Sequence, residues 1–358
     1  MNKKGIIIIV IMAVIILAGC IGIFWYGSQL GAVNKENVKE STIEIKSGMS
    51  TEKILELLKN EGLIKNTLVS KVYIKLNGIK GLQAGKYTLN NGMNLDEILS
   101  QISSGDVVDE KVKITFLEGK NMRWIAKEIA SKTNNKEDDV FNLLKDDEYI
   151  NSLIDNYWFL TDEIKNENIY YPLEGYLCPD TYNFKDKNVT VKEIFKVLLD
   201  QQGKVLEKYR EKLEGKRPSA HQILTIASII ELEGRSEAAR NGISSVIYNR
   251  LRKGMSLGSD VTTYYAFKVD MSERNLRSDE INTYNPYNTR GPNMVGKLPV
   301  GPIASVSEIS IKAALNPNST DNLYFVADSN GKVYFSKTYA EHQQMIKDLQ
   351  KQGLWYEY

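Results

Sequence analysis

Cysteine and histidine are scarce, with two of each among 358 residues. Cys20 lies in an apolar N-terminal run and Cys178 stands alone beyond it, so no intrachain disulfide can staple the rest of the chain. Cys178 reads as a small buried hydrophobe. His221 and His342 are far apart in sequence and, with one distal cysteine, cannot supply a zinc-type ligand set. No EF-hand spacing, P-loop, HExxH or GxSxG is found. Ser50-Thr51-Glu52-Lys53 fits the S-x-x-K of acyl-transferring serine enzymes, but no SDN or KTG element follows it. A charge excess is also missing. The 46 basic residues face 45 acidic ones, which leaves no electrostatic footprint for nucleic acid or for an acidic partner.

What is present begins at the N-terminus. Residues 5–26, GIIIIVIMAVIILAGCIGIFWY, run for about 22 residues without a charge, long enough to span a bilayer core. Lys3 and Lys4 precede the run, and Trp25 and Tyr26 close it. The positive-inside rule then gives a cytoplasmic tail (1–4), a single transmembrane helix (5–26) and an extracytoplasmic remainder at the cell membrane. Leu17-Ala18-Gly19-Cys20 also resembles a lipoprotein cleavage box with lipid added at Cys20. The apolar IGIFWY that follows the cysteine favours an uncleaved anchor.

A polar, aperiodic linker (27–42) leads to a pattern that repeats. Thr42–Ile45, then Gly48-Met49-Ser50, then TEKILELLKNEG is followed by KYTL, Gly92-Met93-Asn94 and LDEILSQISSG. A weaker third copy runs VKITFLEG, Lys120-Asn121, MRWIAKEIASK. Each copy reads as strand, glycine turn, polar cap and amphipathic helix, with Ser50 and Asn94 as N-caps. Such units suggest small modules outside a main domain, serving as spacer and support or as a ligand-binding element. Further on, residues 134–162 are acidic and helical in pattern, PLEGYLCPDTYNF (172–184) is loop-rich, and another helix is expected over 191–213.

The central stretch is ASIIELEGR, residues 227–235. Ser219 and Gln222 form a capping box ahead of it, which gives His221 a place in a first helical turn and no chemical role. Ile223, Leu224, Ile226, Ala227, Ile229, Ile230 and Leu232 cover nearly the whole circumference, so the helix is expected to be buried and central. Gly234 is expected as the C′ residue. At 100° per residue Glu231 and Glu233 point roughly 160° apart, each among apolar neighbours. Burying a carboxylate costs several kcal/mol unless it is paired or protonated. One explanation is a structural ion pair with Arg235, Arg240, Arg250 or Arg252. The other is use in catalysis. Glu233 lies in the last turn, where the helix dipole and apolar burial both raise a carboxyl pKa, as a general acid requires.

Ser236 caps a second helix, EAARNGISSVIYNRLRKG, which ends near Asn249 and Arg250. GMSLGSDVTTYY with Asp260, Thr262 and Thr263 follows, then PYNTRGP from Pro286 and LPVGPI from Leu298. LYFVADSNGKVYFS reads as a hairpin about Asn330-Gly331, and Thr338 with Glu341 as the capping box of a last helix. The 20 tyrosines, beside amides and hydroxyls, suit a sugar polymer with apolar faces and a hydroxyl rim.

These stretches taken in order (ASIIELEG, VIYNRLRKGMSLGSDVTTYYA, YNT, LPVGPI, KAALNP, LYFVAD and AEH) resemble the YceG-like family, the endolytic murein transglycosylases. The resemblance covers residues 111–358, and the anchor and βα units match the family layout. It implies an α+β fold: the transmembrane helix, a LysM-like βα subdomain (43–110) and a larger α+β catalytic domain (111–358). It further implies endolytic cleavage of the MurNAc-β-1,4-GlcNAc bond in nascent peptidoglycan strands, leaving 1,6-anhydro-MurNAc ends and terminating glycan elongation. One glutamate would serve as acid and then as base, with no cofactor or metal. Glu233 is the first choice and Glu231 the second. Asn249, Arg250, Asp260, Thr262, Tyr287, Asn288, Thr289, Pro299 and Gly301 would line the glycan groove. Helix capping would equally explain Asn249 and Arg250, and loop shape would explain Pro299 and Gly301. Partners would be glycan strands, the membrane and synthases of the elongation or division machinery. The chain departs from the family pattern in several places: Ala304-Ser305-Val306-Ser307 after GPI, Tyr334 for a common histidine, Arg290 for a frequent tyrosine and Cys178 for an aromatic. Competing readings are a non-catalytic wall-synthesis scaffold that binds glycan, and a muramidase that uses water.

Overall fold

The structure, a computed structural model, describes residues 3–105 and 111–355. It divides into two compact units, Met1–Glu110 and Lys111–Tyr358.

The first unit contains α1 (Lys3–Leu30), β1 (Glu40–Ile45), α2 (Thr51–Asn60), α3 (Thr67–Leu76), β2 (Gly85–Asn90) and α4 (Leu95–Ser104). Residues 11–30 of α1, with a mean hydropathy of 2.1, are long and apolar enough to cross a membrane. Strands β1 and β2 pair antiparallel, with Ile43 opposite Tyr87 and Ile45 opposite Gly85. Alternation turns Ile43, Ile45, Tyr87 and Leu89 inward against Leu55 and Leu58 of α2 and Ile98 and Leu99 of α4. Asn94 and Glu97 close a reciprocal capping box, and the Ser50 hydroxyl accepts from the Lys53 N–H. The first two βα repeats are therefore not separate modules. Their strands share one ladder, and α3, capped by Asn66, lies between them in sequence.

The second unit contains β3 (Val112–Thr115), α5 (Met122–Lys132), α6 (Glu137–Leu143), α7 (Asp147–Asn156), β4 (Thr181–Phe184), α8 (Val191–Glu207), α9 (Arg210–Leu213), α10 (Ala220–Glu233), α11 (Glu237–Arg252), α12 (Asp260–Ala266), α13 (Ser278–Asn282), α14 (Glu308–Leu315), β5 (Tyr324–Ala327), β6 (Val333–Ser336) and α15 (Tyr339–Lys351). The third repeat belongs here, because β3 pairs antiparallel with β4. Strand β4 falls in a stretch whose sequence reads as loop; four residues are too few for alternation to show. The mixed helix and sheet content agrees with an α+β fold.

Helix α10 is the axis of this unit. Every residue from Ile223 to Ile230 is buried, and the helix packs on α11, α12 and α14. Ser219 and Gln222 cap its start reciprocally. His221 is buried with both ring nitrogens engaged, Nδ1 with the Tyr176 hydroxyl at 2.7 Å and Nε2 with the Val300 carbonyl at 2.8 Å. A carbonyl only accepts, so Nε2 carries the proton and Nδ1 accepts from Tyr176. Burial lowers the imidazole pKa, which suits a neutral structural ring. Cys178 is buried as expected, its thiol pushed up to about 11 mainly by burial.

The end of α10 corrects one expectation. Gly234 is not a left-handed C′ residue; its φ of −113° is extended. Glycine fits there because a Cβ would lie 2.7 Å from Arg240 Cγ and 3.2 Å from the Arg240 nitrogen. The required feature is close approach of the α10–α11 corner, not the sign of φ.

Candidate active site

The two glutamates at the end of α10 have opposite surroundings. Glu231 is locked in place. Its Oε1 takes a bond from Arg240 Nη2 at 2.5 Å, and its Oε2 accepts from the Ser307 N–H at 2.9 Å and from the Ser307 hydroxyl. Arg240 also donates to the Gly234 carbonyl and to Ser307 Oγ. With both oxygens occupied and its side chain only 4% exposed, Glu231 fastens α10 to α11 and to the start of α14.

Among the described residues, Glu233 has a single hydrogen-bonding partner on its carboxylate, the Ser259 hydroxyl, which donates to Oε1 at 2.6 Å. The residue is half-buried. Its pKa is raised. Burial is the main cause and the nearby Asp260 charge adds to it; the Ser259 hydrogen bond, Arg290 and Arg250 oppose them. Desolvation outweighs the opposing groups, so the carboxyl holds its proton more tightly than an exposed glutamate. A shift in this direction is the one a general acid requires.

Ser259 is held from behind. Its N–H donates to Thr289 Oγ1 at 3.0 Å, Thr262 Oγ1 donates to its carbonyl at 2.6 Å, and the Thr262 and Thr289 hydroxyls share a bond of 2.8 Å. Ser259 stands at the N-cap of α12 yet makes no capping bond with its side chain. The hydroxyl is directed to Glu233 instead. Asp260, the first residue of α12, pairs with Arg290.

The structure sorts the expected groove residues into two groups. Asp260 and Arg250 lie close enough to Glu233 to act on its charge, as does Arg290. Arg250 is anchored by bonds to the Leu323 carbonyl at 2.6 Å and the Leu257 carbonyl at 2.7 Å, and it stacks on Tyr324 with 5.1 Å to the ring centroid. The remaining residues are buried. Thr262, Tyr287, Asn288 and Thr289 have no exposed surface. Tyr287 packs between Tyr170 and Tyr265, and Asn288 gathers the Glu280 and Thr283 carbonyls together with Thr263 Oγ1. Asn249 ties the end of α11 to the Thr320 and Asn322 carbonyls, so it braces a neighbouring loop as well as its helix. Pro299 and Gly301 are buried, and a Cβ on Gly301 would meet His221 at 3.3 Å.

Two contributors, Ser259 and Glu118, were not singled out from the sequence. Ser259 sits inside a quoted motif but resembles an ordinary N-cap. Arg290 stood out only as a departure from the family pattern. Glu118, exposed on the β3–α5 loop, has a pKa raised by partial burial and by Glu231. That loop reaches α10 through Gly119, whose N–H donates to the Ser305 carbonyl and whose α-carbon faces Leu232.

Comparison with known proteins identifies the family. The YceG-like family matches residues 43–348. An endolytic murein transglycosylase of Bacillus subtilis is 39% identical over 90% of this chain and 88% of its own length. A protein of the same name from Streptococcus pneumoniae is 29% identical over 95% of this chain, which spans 64% of that longer relative. A crystallised YceG-like protein of Listeria monocytogenes superposes with a TM-score of 0.61 at 36% identity, covering 86% of this chain and all of that one. With its chain matched nearly end to end and its mixed fold shared, this protein belongs to the YceG-like family.

Proposed function

We propose that the chain is a membrane-anchored endolytic lytic transglycosylase of peptidoglycan. It cleaves the MurNAc-β-1,4-GlcNAc bond within nascent strands, leaves 1,6-anhydro-MurNAc ends and so terminates glycan elongation. The observation that carries this reading is the contrast between the two carboxyls, Glu231 closed off by Arg240 and Ser307, Glu233 raised in pKa and, among the described residues, bonded only by Ser259. Curated relatives named endolytic murein transglycosylase support it.

Neutral Glu233 donates its proton to the glycosidic oxygen as the bond from the muramic C1 breaks. The carboxylate, stabilised by the Ser259 hydroxyl, then takes the proton of the muramic C6 hydroxyl while O6 attacks C1. Glu233 ends protonated, no water is consumed, and the proton count closes. A second catalytic carboxylate is not needed, unlike the two-carboxylate glycosidase scheme. Asp260 and Arg290 set the charge around Glu233, and Arg250 holds the Leu257–Ser259 loop to the hairpin. Helix α1 supplies the anchor, with residues 1–4 cytoplasmic and the catalytic unit outside, near wall synthases. The first unit takes the LysM-like role.

The test uses the full chain in detergent micelles with uncrosslinked glycan strands, reading new ends by mass spectrometry. Wild type gives anhydro ends and Glu233→Gln gives none. Reducing ends from wild type would make it a muramidase. Cleavage that survives in Glu233→Gln but stops in Glu231→Gln would transfer the catalytic role to Glu231. No cleavage by folded protein would favour the scaffold reading.

A further inference from the structure

Beside the end of α10 lies a cavity of about 460 Å³ that the proposed reaction does not use. Its walls are the first turn of α11 and the β5–β6 hairpin. The floor is apolar, with Ala239, Val333 and Phe335. Phe335 can lie on α11 because residue 242 is glycine; a Cβ there would fall 2.2 Å from the ring. Arg235 and Lys332 line the same cavity. The Arg235 side chain runs over Gly331 at the hairpin tip, and the Lys332 ammonium sits 4.8 Å from the Tyr334 ring centroid.

Neither cation has a carboxylate at salt-bridge distance among the described residues. Two acids lie on the same elements, and the Lys332 charge acts on one of them, Asp328. Glu237 pairs with Lys312 at 3.1 Å. Asp328 accepts from the Asn330 and Lys332 backbone N–H groups and from the Tyr334 hydroxyl. Two exposed cations over an apolar floor call for an anionic ligand that also carries apolar groups. Arg235 follows Glu233 by two residues, so their α-carbons lie within about 7 Å.

We propose that this cavity is a subsite for the acidic peptide stem of the muramic residue whose bond is cut, with Arg235 and Lys332 pairing its carboxylates and the Ala239–Val333–Phe335 floor taking its methyl groups. The inference rests on the transglycosylase reading, because it needs a substrate with a peptide on the sugar beside Glu233. In peptidoglycan the muramic residue bears such a peptide through its lactyl ether. The subsite sets which strands are cut, those with free stem carboxylates ahead of amidated or stripped ones.

The test is binding, so it does not require cleavage. The probe is N-acetylmuramoyl-L-alanyl-D-glutamate, with its diamide as control, titrated calorimetrically into full-chain Glu233→Gln in detergent. The free acid binds, the diamide binds at least tenfold more weakly, and adding Arg235→Gln and Lys332→Gln weakens the free acid by about tenfold, roughly 1.4 kcal/mol. Both side chains are exposed, so the melting temperature stays that of the parent. A second variant, Arg235→Lys with Lys332→Arg, keeps both charges and retains binding. Equal affinity for acid and diamide, or full affinity in the Gln variant, overturns the subsite while leaving the cleavage result untouched. Binding as expected in a protein whose wild type cuts no glycan would sink the transglycosylase reading and overturn the subsite as part of a cleavage site, leaving only a stem-peptide binding site.

Discussion

The separation of roles at the end of α10 has a measurable consequence for Glu231→Gln. Both partners of the Glu231–Arg240 pair are nearly sealed, with side chains 4% and 11% exposed. The glutamine oxygen can still accept from the Ser307 N–H, but Arg240 is left with a buried, uncompensated charge. Removing one member of a buried pair costs about 3–5 kcal/mol. For a domain of this size each kcal/mol moves the melting temperature by about 2–4 °C, so a fall of roughly 10 °C is expected. Arg240→Gln in the same background removes the stranded charge and should recover part of the loss. The assay is thermal unfolding by circular dichroism across the four proteins of the double-mutant cycle, with glycan cleavage measured well below each transition. Glu233→Gln, which replaces a carboxyl whose ionisation burial disfavours, should melt no lower than wild type. The reasoning is refuted if Glu231→Gln melts within about 1 °C of wild type, or if it stays folded yet abolishes cleavage as Glu233→Gln does.

Two further outcomes follow from the same geometry. Ser259→Ala removes a hydrogen bond that lowers the Glu233 pKa, so the alkaline limb of the pH profile for glycan cleavage should move to higher pH as the maximal rate falls; a shift to lower pH would contradict the assignment. Glu174 is fully buried and its carboxyl is raised to about 7 by burial, against bonds from the Met122 N–H and the Tyr265 hydroxyl. A carboxyl raised in the folded state adds stability that is complete below its ordinary 4.5 and fades as pH rises through about 7, here by roughly 3 kcal/mol. Glu174→Gln should therefore gain on wild type in melting temperature between pH 5 and pH 8, and an unchanged difference would show that Glu174 does not titrate there.

Several helix starts were legible because caps depend on neighbours two or three residues away, Ser219 with Gln222, Thr338 with Glu341 and Asn94 as an N-cap, whereas the helices at 67–76 and 260–266 were not. The burial of α10 was legible from its all-round apolar surface. Strand β4 was not, because its partner β3 lies far off in the chain and a short ladder leaves no periodic trace. The glutamates show the same divide. Sequence could say that two carboxyls end a buried helix, but which one is locked depends on Arg240 and Ser307, brought in by tertiary packing. Ser259 was hidden because an N-cap serine and a serine turned toward a carboxylate are written with the same letter. Tyr287, Asn288 and Thr289 show the opposite limit, since a polar motif read as a lining proves to be the frame behind it.

Helix α10 is pinned at its start by the Tyr176–His221–Val300 chain and at its end by Arg240, and it is packed on all sides between. Such a helix behaves as a rigid rod. One residue more or less within it would rotate Glu233 by about 100° and advance it by about 1.5 Å, with no slack to absorb the change. Any fitting to a bound polymer must then come from the segments that face the rod, the 253–259 loop, the 284–300 stretch and the hairpin tip at Asn330-Gly331. On the proposed reading, the proton donor would stay fixed in space and the strand would be accommodated by the walls around it.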